Sequence, residues 1–311
     1  MVSFDISRFR SLYPFKSHWL DRGGLRYHYL DEGAGEPLLC VHGNPTWSFM
    51  YRELIRVLRH SYRLIAPDHI GCGLSDKPRD ADYEYVLERR VADLEALLER
   101  LDLHNVTLVL HDWGGMIGLA CALRHPHRIA RIVLLNTSGF LKPAGKRLPL
   151  EIGILRHVPL LREALVYGFN AFARGAARRC CRRPMTHQVR AAFLAPYAKP
   201  RDRIATLRFV QDIPLRPGDR SYEMVQWVAE NLHTLGDLPM LICWGEQDFV
   251  FDTLFLTEWR RRFPDAEVHT FADAGHYLLE DEPAGVIEKI AAFLGKHPLP
   301  IANPACAESV S

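Results

Sequence analysis

Residues 106–115 read VTLVLHDWGG: an apolar run ends in His111-Asp112-Trp113 and passes straight into Gly114 and Gly115. A strand that turns abruptly into a helix of small residues can present one side chain at the edge of a sheet, the strained turn that exposes a nucleophile. The side chain in that slot is Asp112, with Leu110 two positions earlier where a small residue is usual. A carboxylate there has its own chemistry. Serine attacking a saturated carbon forms an ether, which water cannot open under mild conditions, whereas a carboxylate forms an ester whose carbonyl water can later attack. Asp112 as a nucleophile points to substrates with an electrophilic carbon and a leaving group: halides, epoxides or strained lactones. The plain alternative is an aspartate at a strand end that caps the next helix.

Two further groups fit such a site. In VHGNPTW (41–47), backbone N–H groups near Asn44, and near Trp113, could face the Asp112 carboxylate. The side chains of Asn44 and Trp113 each offer an N–H donor, and the indole has no acceptor. Converging donors suit an anionic leaving group; the plain alternatives are core packing for the tryptophan and turn formation for an asparagine before proline. The second group is His276, in FADAGHYLLED after the last apolar strand, where a general base is expected. One histidine among 15 means little alone. The order nucleophile, acid, histidine gives it weight. The acid is read as Asp248 in WGEQD, with Glu246 and Asp252 as competitors; the earlier strand at 129–136 ends in Asn136-Thr137 and offers no carboxylate.

Holding these groups together requires a scaffold. Apolar runs at 25–29, 37–41, 62–66, 106–110, 129–136, 239–244 and 266–271 are bounded by turn residues. Runs such as VTLVL do not alternate, as expected of strands buried on both faces of a parallel sheet. Helical periodicity at 83–101 and a small apolar stretch at 116–124 fall between them. The pattern predicts an α/β class, doubly wound, mostly parallel sheet. Its rhythm breaks from 141 to 220, a stretch without a convincing strand. The expected organisation is therefore a core of 1–140 and 221–311 with a helical cap inserted at 141–220. The tail from His297 lacks apolar periodicity and is expected to be unpacked.

Composition narrows the function. The chain has 311 residues, enough for one large domain with an insertion. A net charge of +2 argues against nucleic acid as a partner, and 48% apolar residues exclude a disordered chain. The charge is unevenly spread: 141–220 holds 17 basic and five acidic residues. Arg174, Arg178, Arg179, Arg182 and Arg183 form a cluster that is either a solvated face or a dock for an acidic partner enzyme or an anionic lipid surface. No signal-peptide pattern or long apolar span is present, and seven cysteines in no metal or disulfide spacing read as reduced thiols. A cytoplasmic location is the expectation.

HGNPTW, PDHIGCGLSDKP, HDWGGMIG and DAGHYLLED, in register over roughly residues 20 to 295, resemble the haloalkane dehalogenase family of α/β-hydrolases. The resemblance implies Asp112 as nucleophile, His276 as base, Asp248 as orienting acid, and Asn44 with Trp113 as leaving-group donors. RIATLRFVQDIPL, WGEQDFVFD and HTFADAGHYLLED are similar to one branch, the β-lactone decarboxylases of bacterial long-chain olefin biosynthesis. That branch converts a cis-3,4-dialkyl-oxetan-2-one into a cis-alkene and carbon dioxide. It implies a hydrophobic small-molecule substrate, no metal or organic cofactor, and contact with other enzymes of the olefin pathway. Haloalkane hydrolysis stays open beside it. Epoxide hydrolysis would want paired cap tyrosines, for which Tyr167 and Tyr197 are the candidates, and a non-catalytic binding protein is the remaining reading.

Overall fold

The computed structural model describes residues 4–299. Eight strands form one sheet: β1 (Ser17–Asp21), β2 (Arg26–Glu32), β3 (Pro37–Val41), β4 (Arg63–Pro67), β5 (Val106–Asp112), β6 (Ile129–Thr137), β7 (Met240–Gly245) and β8 (Glu267–Phe271). Their order is β1-β2-β4-β3-β5-β6-β7-β8. Only the β1–β2 and β2–β4 pairs are antiparallel; every pair from β4 to β8 is parallel.

The non-alternating strands have a simple cause. Leu108 and Leu110 of β5 and Ile132 and Leu134 of β6 enter one core cluster, while Val109, Val133 and Leu135 enter a second on the opposite face. Helices α2 (Leu87–Arg100) and α3 (Trp113–Arg124) supply the first cluster, and α1 (Arg52–Leu58) supplies the second. Both faces of the sheet are covered, so both side-chain registers of each central strand must be apolar.

Between β6 and β7 the chain departs into helices: α4 (Leu150–His157), α5 (Pro159–Glu163), a π turn (Ala164–Gly168), α6 (Ala171–Arg179), α7 (His187–Leu194) and α8 (Ile204–Gln211). All lie within the stretch expected as a cap. Helix α9 (Tyr222–Asn231) returns to pack beside α3 through Val225 and Val228. Helices α10 (Thr253–Arg262), α11 (Leu278–Asp281) and α12 (Pro283–Lys296) complete the layers.

Two expectations need correction. The periodicity at 83–101 starts a helix only at Leu87; Tyr83 instead folds its hydroxyl onto Asp93 at 2.7 Å. The edge strand β1 was not expected at all. Of the tail, residues 300–311 lie outside the described residues. The six cysteines among the described residues are free and buried.

Candidate active site

Asp112 ends β5 in a conformation that an L-residue avoids, φ 52° and ψ −126°. Such strain persists only where the surroundings enforce it. Here the glycines permit the close approach: a Cβ at Gly43 would overlap the Asp112 carboxylate, and one at Gly114 would overlap the Val41 carbonyl. The Asp112 side chain makes no capping bond to α3, so the helix-cap alternative fails. Its Oδ1 instead accepts the backbone N–H of Asn44 at 2.6 Å. Burial alone would raise the carboxyl pKa, but the neighbouring His276 and the Asn44 N–H lower it below the ordinary value.

His276 lies between two carboxylates. Its Nε2 is 3.5 Å from Asp112 Oδ2, and its Nδ1 is 2.7 Å from Asp248 Oδ2. Burial of the ring disfavours its charge, yet the two carboxylates outweigh that and raise its pKa to about 10. The His111 ring donates from Nε2 to the His276 carbonyl at 2.8 Å. Burial, with His276 close by, depresses the pKa of His111 to about 3, so it stays neutral.

The three candidate acids occupy different positions. Glu246 is exposed, whereas Asp252 bonds Lys146 at 2.9 Å and caps α10 through the Leu254 N–H. Asp248 is buried, with Oδ1 accepting the Val250 N–H at 2.7 Å. Asn136, dismissed in the sequence because it is no acid, donates from Nδ2 to Asp248 Oδ2 at 3.0 Å. It also clamps Gly245, accepting its N–H at 2.8 Å. The only sequence signal for this role is its place at the end of β6.

Asn44 and Trp113 both border the same cavity as Asp112 and His276. The backbone N–H of Asn44 reaches the carboxylate as expected, whereas that of Trp113 makes no hydrogen bond to it. One side-chain N–H of Asn44 is committed to the Thr206 carbonyl of α8 at 3.0 Å. Among the described residues, nothing in the protein accepts from the Trp113 indole N–H. Behind that indole lies Phe209, ring centroids 5.4 Å apart, and over Phe209 at 3.7 Å lies the Arg90 guanidinium. Arg90 is held by Asp212 at 2.9 Å, a buried ion pair joining α2 to the residue after α8.

The cavity has a volume of about 390 Å³ and is walled mainly by apolar side chains, among them Phe140, Ile152, Leu155, Leu165, Phe172 and Phe251. Such a site takes a small apolar ligand oriented by few polar groups. Neither Tyr167 nor Tyr197 lines it, which removes the tyrosine pair an epoxide would need. The buried Tyr197 hydroxyl faces the Thr46 carbonyl instead.

A carboxylate at a strained strand-to-helix turn, a histidine held by a second carboxylate and a helical insertion over a parallel sheet define a class. Residues 36–283 match the family described by the alpha/beta hydrolase fold, and the chain belongs to that family. It is 53% identical over 286 residues to a cis-3-alkyl-4-alkyloxetan-2-one decarboxylase of Shewanella oneidensis, covering 91% of this chain and 90% of that one. A protein of the same name from Xanthomonas campestris is 44% identical, covering 92% and 98%. Among solved structures, the haloalkane dehalogenase DatA from Agrobacterium tumefaciens C58 superposes with a TM-score of 0.82 at 28% identity, covering 91% of this chain and 97% of that chain.

Proposed function

We propose that this chain is a cis-3-alkyl-4-alkyloxetan-2-one decarboxylase, releasing a cis-alkene and carbon dioxide. The observation that carries the reading is a carboxylate at a strained turn facing an apolar cavity beside an indole N–H free to donate to an anion. Two relatives, each matched over nine-tenths of its length or more, bear that name.

Asp112 attacks ring carbon C4, and the C4–O1 bond breaks with release of ring strain. The product is an ester at C4 and a free carboxylate on C3. Trp113 Nε1–H and the uncommitted Asn44 N–H receive that carboxylate, stabilising charge as it develops. Loss of carbon dioxide then sends its bonding pair into the C3–C4 double bond and expels Asp112 as a carboxylate. Atoms and charge balance without water, proton or cofactor. Attack inverts C4, and anti departure of the two groups gives a net syn elimination, so a cis ring yields a cis alkene. Attack at the ring carbonyl would instead leave an alkoxide at C4, a poor leaving group.

Before attack, His276 is protonated between Asp112 and Asp248 and steadies the Asp112 carboxylate. Asp248 fixes the ring through Nδ1, as an orienting acid does in related triads.

Incubation with a long-chain cis-β-lactone and, separately, a bromoalkane tests the reading. Cis-alkene by gas chromatography supports it. Bromide release with no alkene would assign the site to haloalkane hydrolysis.

A further inference from the structure

Nine large hydrophobic side chains are exposed among the described residues, and the three most exposed lie within 20 residues of each other in the cap. They are Leu160 (85%), Leu150 (75%) and Phe169 (69%), with Val158 and Leu161 beside Leu160 also exposed. Val158, Leu160 and Leu161 sit at the corner where α4 gives way to α5, and Phe169 closes the π turn. A soluble protein seldom concentrates apolar side chains in this way without something to bury them.

The same segment forms the cavity mouth. Leu148, Pro149, Glu151 and Ile152 line the cavity on either side of exposed Leu150. Glu151 pairs with Arg179, a second lining residue, and both side chains are 55% exposed. Helix α4 therefore turns Ile152 and Leu155 inward while Leu150 stays outside.

Charge supplies the second signal. Arg147, Arg174, Arg178, Arg182, Arg190 and Lys199 of the cap are exposed, and among the described residues none has a carboxylate within salt-bridge distance. Against them, Glu163 is the exposed carboxylate of α5 left without an ion-pair partner among the described residues. A cap that carries both an exposed apolar corner and unpaired cations suits a bilayer surface bearing anionic headgroups, which takes up apolar side chains and attracts basic ones. No helix of the described residues is long and apolar enough to cross a membrane, so the contact is peripheral.

We propose that the α4–α5 corner of the cap docks on an anionic lipid surface and turns the mouth of the cavity toward it. A dialkyl lactone dissolved in the bilayer then passes into the cavity without crossing water. The delivery half rests on the function proposed above; the docking half does not.

Flotation of the full chain with vesicles of phosphatidylcholine, with and without phosphatidylglycerol, tests docking without turnover. Binding to the anionic vesicles, weakened by salt, is expected. Leu160→Glu with Leu161→Glu should lower the partition coefficient by at least about tenfold, and Arg174→Gln with Arg178→Gln should lower it on anionic vesicles alone. Neither pair touches the catalytic groups, so turnover of a short, water-soluble β-lactone should be unchanged. Absence of binding, or salt-independent binding equal on both vesicles, overturns the proposal. So does Leu160→Glu leaving vesicle binding intact while abolishing self-association or capture of another protein, which would make the corner a protein contact. Loss of alkene formation with vesicle binding intact would fault the functional reading instead.

Discussion

Asn136 Nδ2 donates to Asp248 Oδ2 at 3.0 Å, the same oxygen that takes the His276 Nδ1–H at 2.7 Å. Leaving a buried acceptor short of a donor costs about 1–3 kcal/mol. Asn136→Leu should therefore slow turnover roughly 10- to 100-fold while the fold persists. Asn136→Asp should do more damage, because two carboxylates would then share the space of one. Steady-state kinetics on a β-lactone decides it; unchanged kcat in Asn136→Leu refutes the role.

Replacing Asp112 by Asn keeps the shape and removes the attacking anion, so turnover should fall by on the order of 10⁴ or more. The same change removes one of the two charges holding the proton on His276. Its ring titration, followed by NMR, should move down from about 10. A variant that still turns over near the normal rate would place the nucleophile elsewhere.

Trp113→Phe deletes the free indole N–H with little change in volume. Losing a donor that meets developing charge typically costs about 2.7–4 kcal/mol, or about 10²- to 10³-fold in kcat. Activity within twofold of the parent would mean that Trp113 only packs.

His276 also sets a pH dependence of stability. Its pKa is about 10 folded, against about 6.5 in an unfolded chain. A group raised on folding contributes its full stabilisation below the unfolded value and loses it as pH rises through the folded one. Thermal unfolding temperature should thus decline as pH goes from about 6.5 to about 10, and decline less in Asp248→Asn. A flat profile shared by both proteins would contradict the raised pKa.

The Arg90–Asp212 pair is buried and ties α2 to the end of α8. Breaking such a pair by deleting one partner typically costs about 3–5 kcal/mol, whereas replacing both with apolar groups can be neutral. Asp212→Ala should be destabilised by that amount in denaturant titration, and Arg90→Met with Asp212→Leu should recover most of it. A loss under 1 kcal/mol in the single variant would show the pair to be dispensable.

The central strands were readable because their chemistry is local. Residues 37–41 and 132–135 are apolar whichever way they face, and the runs at 37–41 and 129–136 form β3 and β6 almost to the residue. Asp112 was readable because it ends β5 ahead of two glycines, and Asp248 and His276 because they stand in the loops that follow β7 and β8. Strand β1 was not, since SHWLD lies at the sheet edge, half exposed, and has no apolar face to betray it. Asn136, Thr206 and Lys146 were hidden for another reason. Each acts on a partner more than 100 residues away, and an amide or ammonium carries no local pattern announcing what it will meet.

The backbone at Asp112 gives the nucleophile an opponent within its own chain. At φ 52° and ψ −126° glycine is the residue at ease. Strain of this kind costs about 1–3 kcal/mol, so Asp112→Gly should trade catalysis for a firmer fold. A mutant library sorted on heat resistance alone would then enrich inactive chains at this one codon. Any attempt to harden the enzyme must score product alongside survival.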